Sequence, residues 1–195
     1  MTSIVQSVAA NPVVWIVLLI VLLMAVIVGA IGAVIGSGGA ANSAEDYTYQ
    51  AQVSEQTESY RDMVEDYCEK YGIDDYVDLC LAVIEQESGG NPPDVMQTEQ
   101  SYYNVNPPID TVEESIDCGT HELSDCLTKA KSKSPNDIKG ISLALQGYNF
   151  GSGYIDWALK NYGCYSKENA EIFSKKMCVE LGYDSYGDVE YLSLI

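Results

Sequence analysis

The first 44 residues contain no Lys, Arg, Asp or Glu, and positive charge is scarce everywhere: 10 Lys and Arg stand against 29 Asp and Glu, a formal net charge of −19 over 195 residues. A chain so poor in cations is excluded from binding nucleic acid or anionic lipid through a basic face, because phosphate neutralisation needs clustered Lys and Arg. Histidine occurs once, as His121, and no cysteines are spaced C-x-x-C. A zinc site therefore lacks its usual ligands, and no metal or cofactor is expected. Runs that alternate apolar and polar residues are also missing, which points to an all-helical domain rather than a sheet. Disorder is excluded in turn, since aliphatic and aromatic residues continue throughout the acidic part.

What is present falls into two compositions. After a short leader (1–12), residues 13–36 are apolar and uncharged. About 20 such residues suffice to cross the hydrocarbon core as a helix, so the stretch reads as a single transmembrane anchor. It has neither the basic start nor the shorter apolar core of a signal peptide, although the small residues of GSGGAANSA leave cleavage open. Residues 37–56 are small, polar and acidic and read as a flexible stalk, with a domain over 57–195. All six cysteines lie in that domain. An even number suits an oxidising exterior and up to three disulfides; six reduced thiols acting as small hydrophobes are the alternative. Cys68–Cys80 is the favoured pair, across a helical hairpin. Cys118 and Cys126, about 12 Å apart if on one helix, are out of disulfide reach.

Helical periodicity organises the domain. Tyr60, Met63, Val64, Tyr67, Cys68 and Tyr71 share a face, and Gly72 stops the helix. Asp74 is placed to cap a second helix through DYVDLCLAVIEQES, apolar nearly all round and hence central in the core. Residues 91–110, rich in Pro, Asn, Gln and Tyr, form a loop of functional length, with room for a short hairpin. Thr111 and Glu114 make a capping box for a helix whose face carries Ile116, Gly119, Leu123, Cys126, Leu127 and Ala130. Ser134-Pro135 opens the next helix. A short one follows through YIDWAL, and Ser166 caps the last, with Ala170, Phe173, Met177, Cys178 and Leu181 on its apolar face.

Within this framework Glu87 is the residue best placed for chemistry. It ends the most hydrophobic helix, i+3 from Ile84 and i+4 from Val83. Burial and the negative end of the helix dipole both disfavour its charged form and raise its pKa. A carboxylic acid that keeps its proton near neutral pH can protonate a glycosidic oxygen. Glu85, after Leu81 and Ala82, competes for the role by spacing alone.

Three ordered motifs surround it: Glu87-Ser88 in QESGG, Met96-Gln97 in PDVMQT, and Tyr148-Asn149 with Gly151 in YNFG. Together they resemble the lysozyme-like superfamily of goose-type lysozymes and lytic transglycosylases. The likeness is nearest to the domain of membrane-anchored, CwlT-like cell-wall hydrolases carried on conjugative elements of Gram-positive bacteria, and it covers roughly residues 60–191. It implies a mostly helical form of the α+β lysozyme-like fold, peptidoglycan as substrate, and Glu87 rather than Glu85 as general acid. It also implies extracytoplasmic wall opening beside a conjugative secretion machine. DVMQ and NFGSG replace the GLMQ and NAGPG wordings of transglycosylases, so the subtype stays open. An inverting hydrolase needs a second carboxylate across the sugar, for which Asp94 and Glu99 are the available partners. A lytic transglycosylase needs none, because the muramic 6-hydroxyl attacks. Asp94, inside the matched motif, favours hydrolysis with Asp94 as base. A non-catalytic wall-binding scaffold is the remaining alternative.

Substrate contacts are assigned to Ser88, Gln97, Glu99, Tyr148 and Asn149, with Ser88 a helix-end hydrogen-bonder rather than a nucleophile, since no triad accompanies it. Tyr148 is placed to orient Glu87 or the sugar. Tyr102, Tyr103 and Trp157 are available to stack on sugar faces, although core or surface packing is the better reading of each.

Overall fold

The computed structural model describes residues 52–193, apart from 102 and 106. The leader, the apolar span and residues 37–51 of the stalk lie outside the described residues. Among those described, no helix is long and apolar enough to cross a membrane.

Seven α-helices and two single 3₁₀ turns make up the described domain, with no strand among them. They are α1 (Glu55–Glu58), α2 (Arg61–Tyr71), α3 (Val77–Ser88), α4 (Val112–Ala130), α5 (Ile138–Phe150), α6 (Gly153–Asn161) and α7 (Lys167–Leu181). Among the described residues of 91–110 the expected short hairpin does not form; they make turns and bends instead.

Local signals set most boundaries. α2 ends at Gly72, whose φ of 68° suits a residue without Cβ. The Thr111–Glu114 capping box is complete, each side chain bonding the other's backbone N–H. Ser166 accepts from the Asn169 N–H and starts α7. Two expected starts move. Asp74 opens a 3₁₀ turn, so α3 begins at Val77 without a side-chain cap. Ser134-Pro135 lies in a turn, and Asp137 caps α5 by accepting from the Gly140 N–H at 3.1 Å.

α3 runs through the centre, with Cys80 to Ile84 buried on consecutive positions. α2, α4 and α5 pack around it, and their inward faces supply Val64, Cys68, Ile116, Leu123, Cys126 and Leu145. The six residues expected on one face of α4 are all buried. On α7 the face is shorter than expected: Ala170 and Phe173 are buried, whereas Leu181 is exposed. Cys68 and Cys80 are buried free thiols with their sulfurs 3.5 Å apart, where α2 crosses α3. The end of the stretch assigned to the stalk is held to the domain, because Ser54, the N-cap of α1, bonds to the Glu85 carboxylate of α3 beside Thr57 of α1.

Candidate active site

α3 delivers Glu87 to its last turn, where Gly89 in the left-handed region (φ 63°) turns the chain away. Glu87 lines a cleft of about 380 Å³ together with Gln97 and Ser101 from the α3–α4 loop, Glu122 from α4, and Tyr148 and Asn149 from α5. Tyr186 and Gly187, in the segment after α7, close another wall. Farther along that segment, Tyr191 donates its hydroxyl to Glu87 Oε1 at 2.6 Å. Burial raises the pKa of Glu87; the Tyr191 hydrogen bond opposes this, and the negative charges of Asp94, Asp188 and Glu122 add to the rise. Glu85 has a different fate. Its carboxylate accepts from Thr57 Oγ1 at 2.5 Å and from Ser54 Oγ at 2.8 Å. Burial pushes its pKa up, but these hydrogen bonds prevail and hold it below the usual value. Glu85 fastens α1 to α3 and does not reach the cleft lining.

The loop between α3 and α4 is folded by side chains rather than by a ladder. Ser88 Oγ donates to the Val95 carbonyl at 2.8 Å, joining the helix end to the loop, as expected of a helix-end hydrogen-bonder. Met96 is fully buried, its N–H bonded to Ser115 Oγ at 2.9 Å and its carbonyl accepting from the Tyr148 hydroxyl at 2.9 Å. Tyr148 therefore anchors the loop while one face lines the cleft; its hydroxyl is spent on Met96 rather than on Glu87. Met96 can lie against α4 only because residue 119 is glycine: a Cβ there would stand 2.5 Å from the Met96 sulfur.

Asp94, expected as the catalytic base, is placed otherwise. Its Oδ1 accepts from Ser115 Oγ (2.7 Å), Thr98 N (2.8 Å) and Thr98 Oγ1 (3.0 Å), and its Oδ2 accepts from Glu99 N (2.9 Å). A carboxylate holding four donors is a loop organiser, and Asp94 is not among the residues lining the cleft. Glu99 contributes its backbone N–H to that arrangement, and its side chain does not line the cleft either. Gln97 does line it, held at φ 53° with its Nε2 donating to the Asp94 carbonyl at 2.9 Å. The Asn149 amide oxygen accepts from the Asp188 N–H at 2.7 Å, so Asn149 braces the segment after α7 while it borders the cleft.

The aromatic residues considered for sugar stacking are mostly packed elsewhere. Trp157 joins Tyr154, Tyr162 and Phe173 in a cluster. Tyr103 stacks on His121, with ring centroids 3.7 Å apart. Tyr102 lies outside the described residues. Sequence reasoning missed Tyr191, Ser115 and Glu122. Tyr191 is 104 positions from Glu87 and offered no local signal. Glu122 offered one, because it sits i+3 from Gly119 and i−4 from Cys126, at the edge of an apolar stripe where a carboxylate is out of place.

Comparison with known proteins agrees with this geometry. Residues 54–194 match the family described as lysozyme-like. The chain is 35% identical over 140 residues to the bifunctional muramidase/DL-endopeptidase CwlT of Bacillus subtilis strain 168, covering 72% of this chain and 40% of that protein. It is 33% identical over 117 residues to a pneumococcal vaccine antigen A homolog of Streptococcus pyogenes serotype M6, covering 60% of this chain and 57% of the relative. Among solved structures, a lipoprotein-like protein of the NLP/P60 family from Staphylococcus aureus Mu50 superposes with a TM-score of 0.61 at 31% identity, over 73% of this chain and 52% of that one. This chain thus spans roughly half the length of the relatives it matches. With the family match running from Ser54 past Tyr191, the chain belongs to the lysozyme-like family and carries a CwlT-like lysozyme-like domain.

Proposed function

We propose that the domain is a peptidoglycan hydrolase of the N-acetylmuramidase type, which cleaves the β-1,4 bond between N-acetylmuramic acid and N-acetylglucosamine with Glu87 as general acid. One observation carries the reading: a half-buried carboxyl at the end of the central helix, with raised pKa, opens on a cleft bordered by hydrogen-bonding side chains. Such a group keeps its proton into the pH range where an ordinary glutamate, with a pKa of about 4.3, has lost it. It can therefore protonate the departing glycosidic oxygen. Gln97 and Asn149 border the same space and are suited to sugar hydroxyl and N-acetyl groups, while Ser88, Asp94 and Tyr148 hold the loop that forms the cleft's wall. In this reading the residue 13–36 span tethers the domain on the outer side of a Gram-positive membrane, where it opens the wall locally for a conjugative secretion machine.

Lytic transglycosylase action is the second reading, favoured by the commitment of Asp94 to the loop: that chemistry needs no second carboxylate. Zymography of the full chain against its Glu87→Gln variant tests the shared step. Clearing by the wild type and a loss of roughly a hundredfold or more in the variant are expected. Clearing that survives the substitution removes Glu87 from the mechanism, and no clearing by either protein favours a wall-binding scaffold.

A further inference from the structure

With Asp94 bound up in the loop, the cleft still presents a second carboxylate. We propose that Glu122 is the catalytic base of this site and activates the water that attacks the anomeric carbon. The proposal rests on the reading of Glu87 as general acid of a glycan hydrolase, and it makes that hydrolase an inverting one.

Glu122 lines the same cleft as Glu87 but comes from a different element, α4 rather than α3. Ser115, Gly119 and Glu122 follow one another along a single row of α4, at i, i+4 and i+7. The first holds Asp94 and Met96, and the second lets Met96 pack against the helix. The third meets the loop again beside Ser101, with which it lines the cleft. The row that builds the loop therefore also sets the Glu122 carboxylate at the cleft wall. Burial, opposed by the Ser101 hydroxyl and aided by the nearby charge of Asp125, raises its pKa and hence its basicity when ionised. No Lys or Arg lines the cleft to neutralise it.

The step balances as follows. Water's oxygen bonds to the anomeric carbon on the face away from the leaving sugar, and one water proton passes to the Glu122 carboxylate. The glycosidic C–O bond breaks as Glu87 gives its proton to the departing oxygen. Transfer of the proton from Glu122 through solvent to Glu87 restores the starting state. An inverting pair stands about 6.5–9.5 Å apart to admit the water.

Glu122→Gln and Glu122→Ala, each in the full chain, test this against wild type on glycan strands, with thermal melts as the folding control. Expected are a loss of roughly 10²–10⁴ in kcat for both with KM little changed, and partial recovery of the alanine variant by sodium azide, giving a glycosyl azide of inverted configuration. Glutamine-variant activity within a few-fold of wild type overturns the proposal. So does a variant whose acid-side plateau is intact and whose alkaline limb alone has moved, because Glu122 would then act only on Glu87's proton affinity. Folded, inactive variants with no azide product also overturn it, leaving Glu122 a positioning residue. If the wild type cuts no glycan, the hydrolase reading itself fails, a result distinct from all of these.

Discussion

Glu87 lives under two opposed demands. In the proposed mechanism its partial burial holds the proton that general-acid catalysis uses, and the same burial makes its ionised form costly to the folded chain. A carboxyl whose folded-state pKa is raised contributes stability that is fully present below its unfolded value, about 4.3, and is lost as pH rises through the folded value. Glu87→Gln removes that cost while leaving an oxygen to accept from Tyr191. The variant should therefore melt higher than wild type at pH 7, and the gap should shrink towards pH 4, in parallel calorimetric scans; a lower melting temperature at pH 7 would contradict the assignment. Tyr191 acts in the opposite direction. Its hydroxyl favours the charged carboxylate, so Tyr191→Phe should move the alkaline limb of the kcat/KM profile to higher pH. A downward shift would mean that the hydrogen bond supports the protonated form instead.

At the scale of elements, the α3–α4 loop is the piece on which the site depends. It has no strand or helix of its own, and its order comes from Asp94, Ser115 and Tyr148 reaching across from three segments. Ser115→Ala leaves the Met96 N–H buried without its acceptor and removes a donor from Asp94. A cost of about 1–3 kcal/mol is expected in denaturant unfolding, together with a raised KM as Gln97 loses its setting. Unchanged stability would show that the loop is held by other means. This dependence also explains what was legible in advance. The capping box at Thr111, the stop at Gly72, the buried face of α4 and the end of α3 at Ser88 are local patterns, read from a few adjacent residues. The motif words located the cleft's α3, loop and α5 walls because those walls carry the superfamily likeness. The hydrogen bonds that hold Asp94 in the loop were not legible, because the residue that occupies its Oδ1, Ser115, lies 21 positions away and looks like an ordinary helical serine. Asp74 and Ser134 carry good capping side chains, yet the N-caps fall two and three residues later, at Tyr76 and Asp137. Gly187 is a further case: it allows the segment after α7 to lie against Phe150 and Asn149, a contact no sequence window contains.

For the whole molecule, the net charge of −19 acts on encounter with substrate rather than on the fold. In the proposed reading a polyanionic wall repels the chain, and the proposed tether takes the place of attraction. Screening shortens the range of that repulsion from about 30 Å at 0.01 M salt to about 8 Å at 0.15 M. Activity on walls should accordingly rise over this interval, and a steady fall would point to a cationic contact with the substrate. Beneath these effects lies the claim that a half-buried glutamate and a water molecule divide the glycan strand. The most direct test is mass spectrometry of muropeptides released by the full chain in heavy-oxygen water. Expected are reducing N-acetylmuramic acid ends that each carry one heavy oxygen, absent from the Glu87→Gln digest; 1,6-anhydro ends without the label, or reducing N-acetylglucosamine ends, would contradict it.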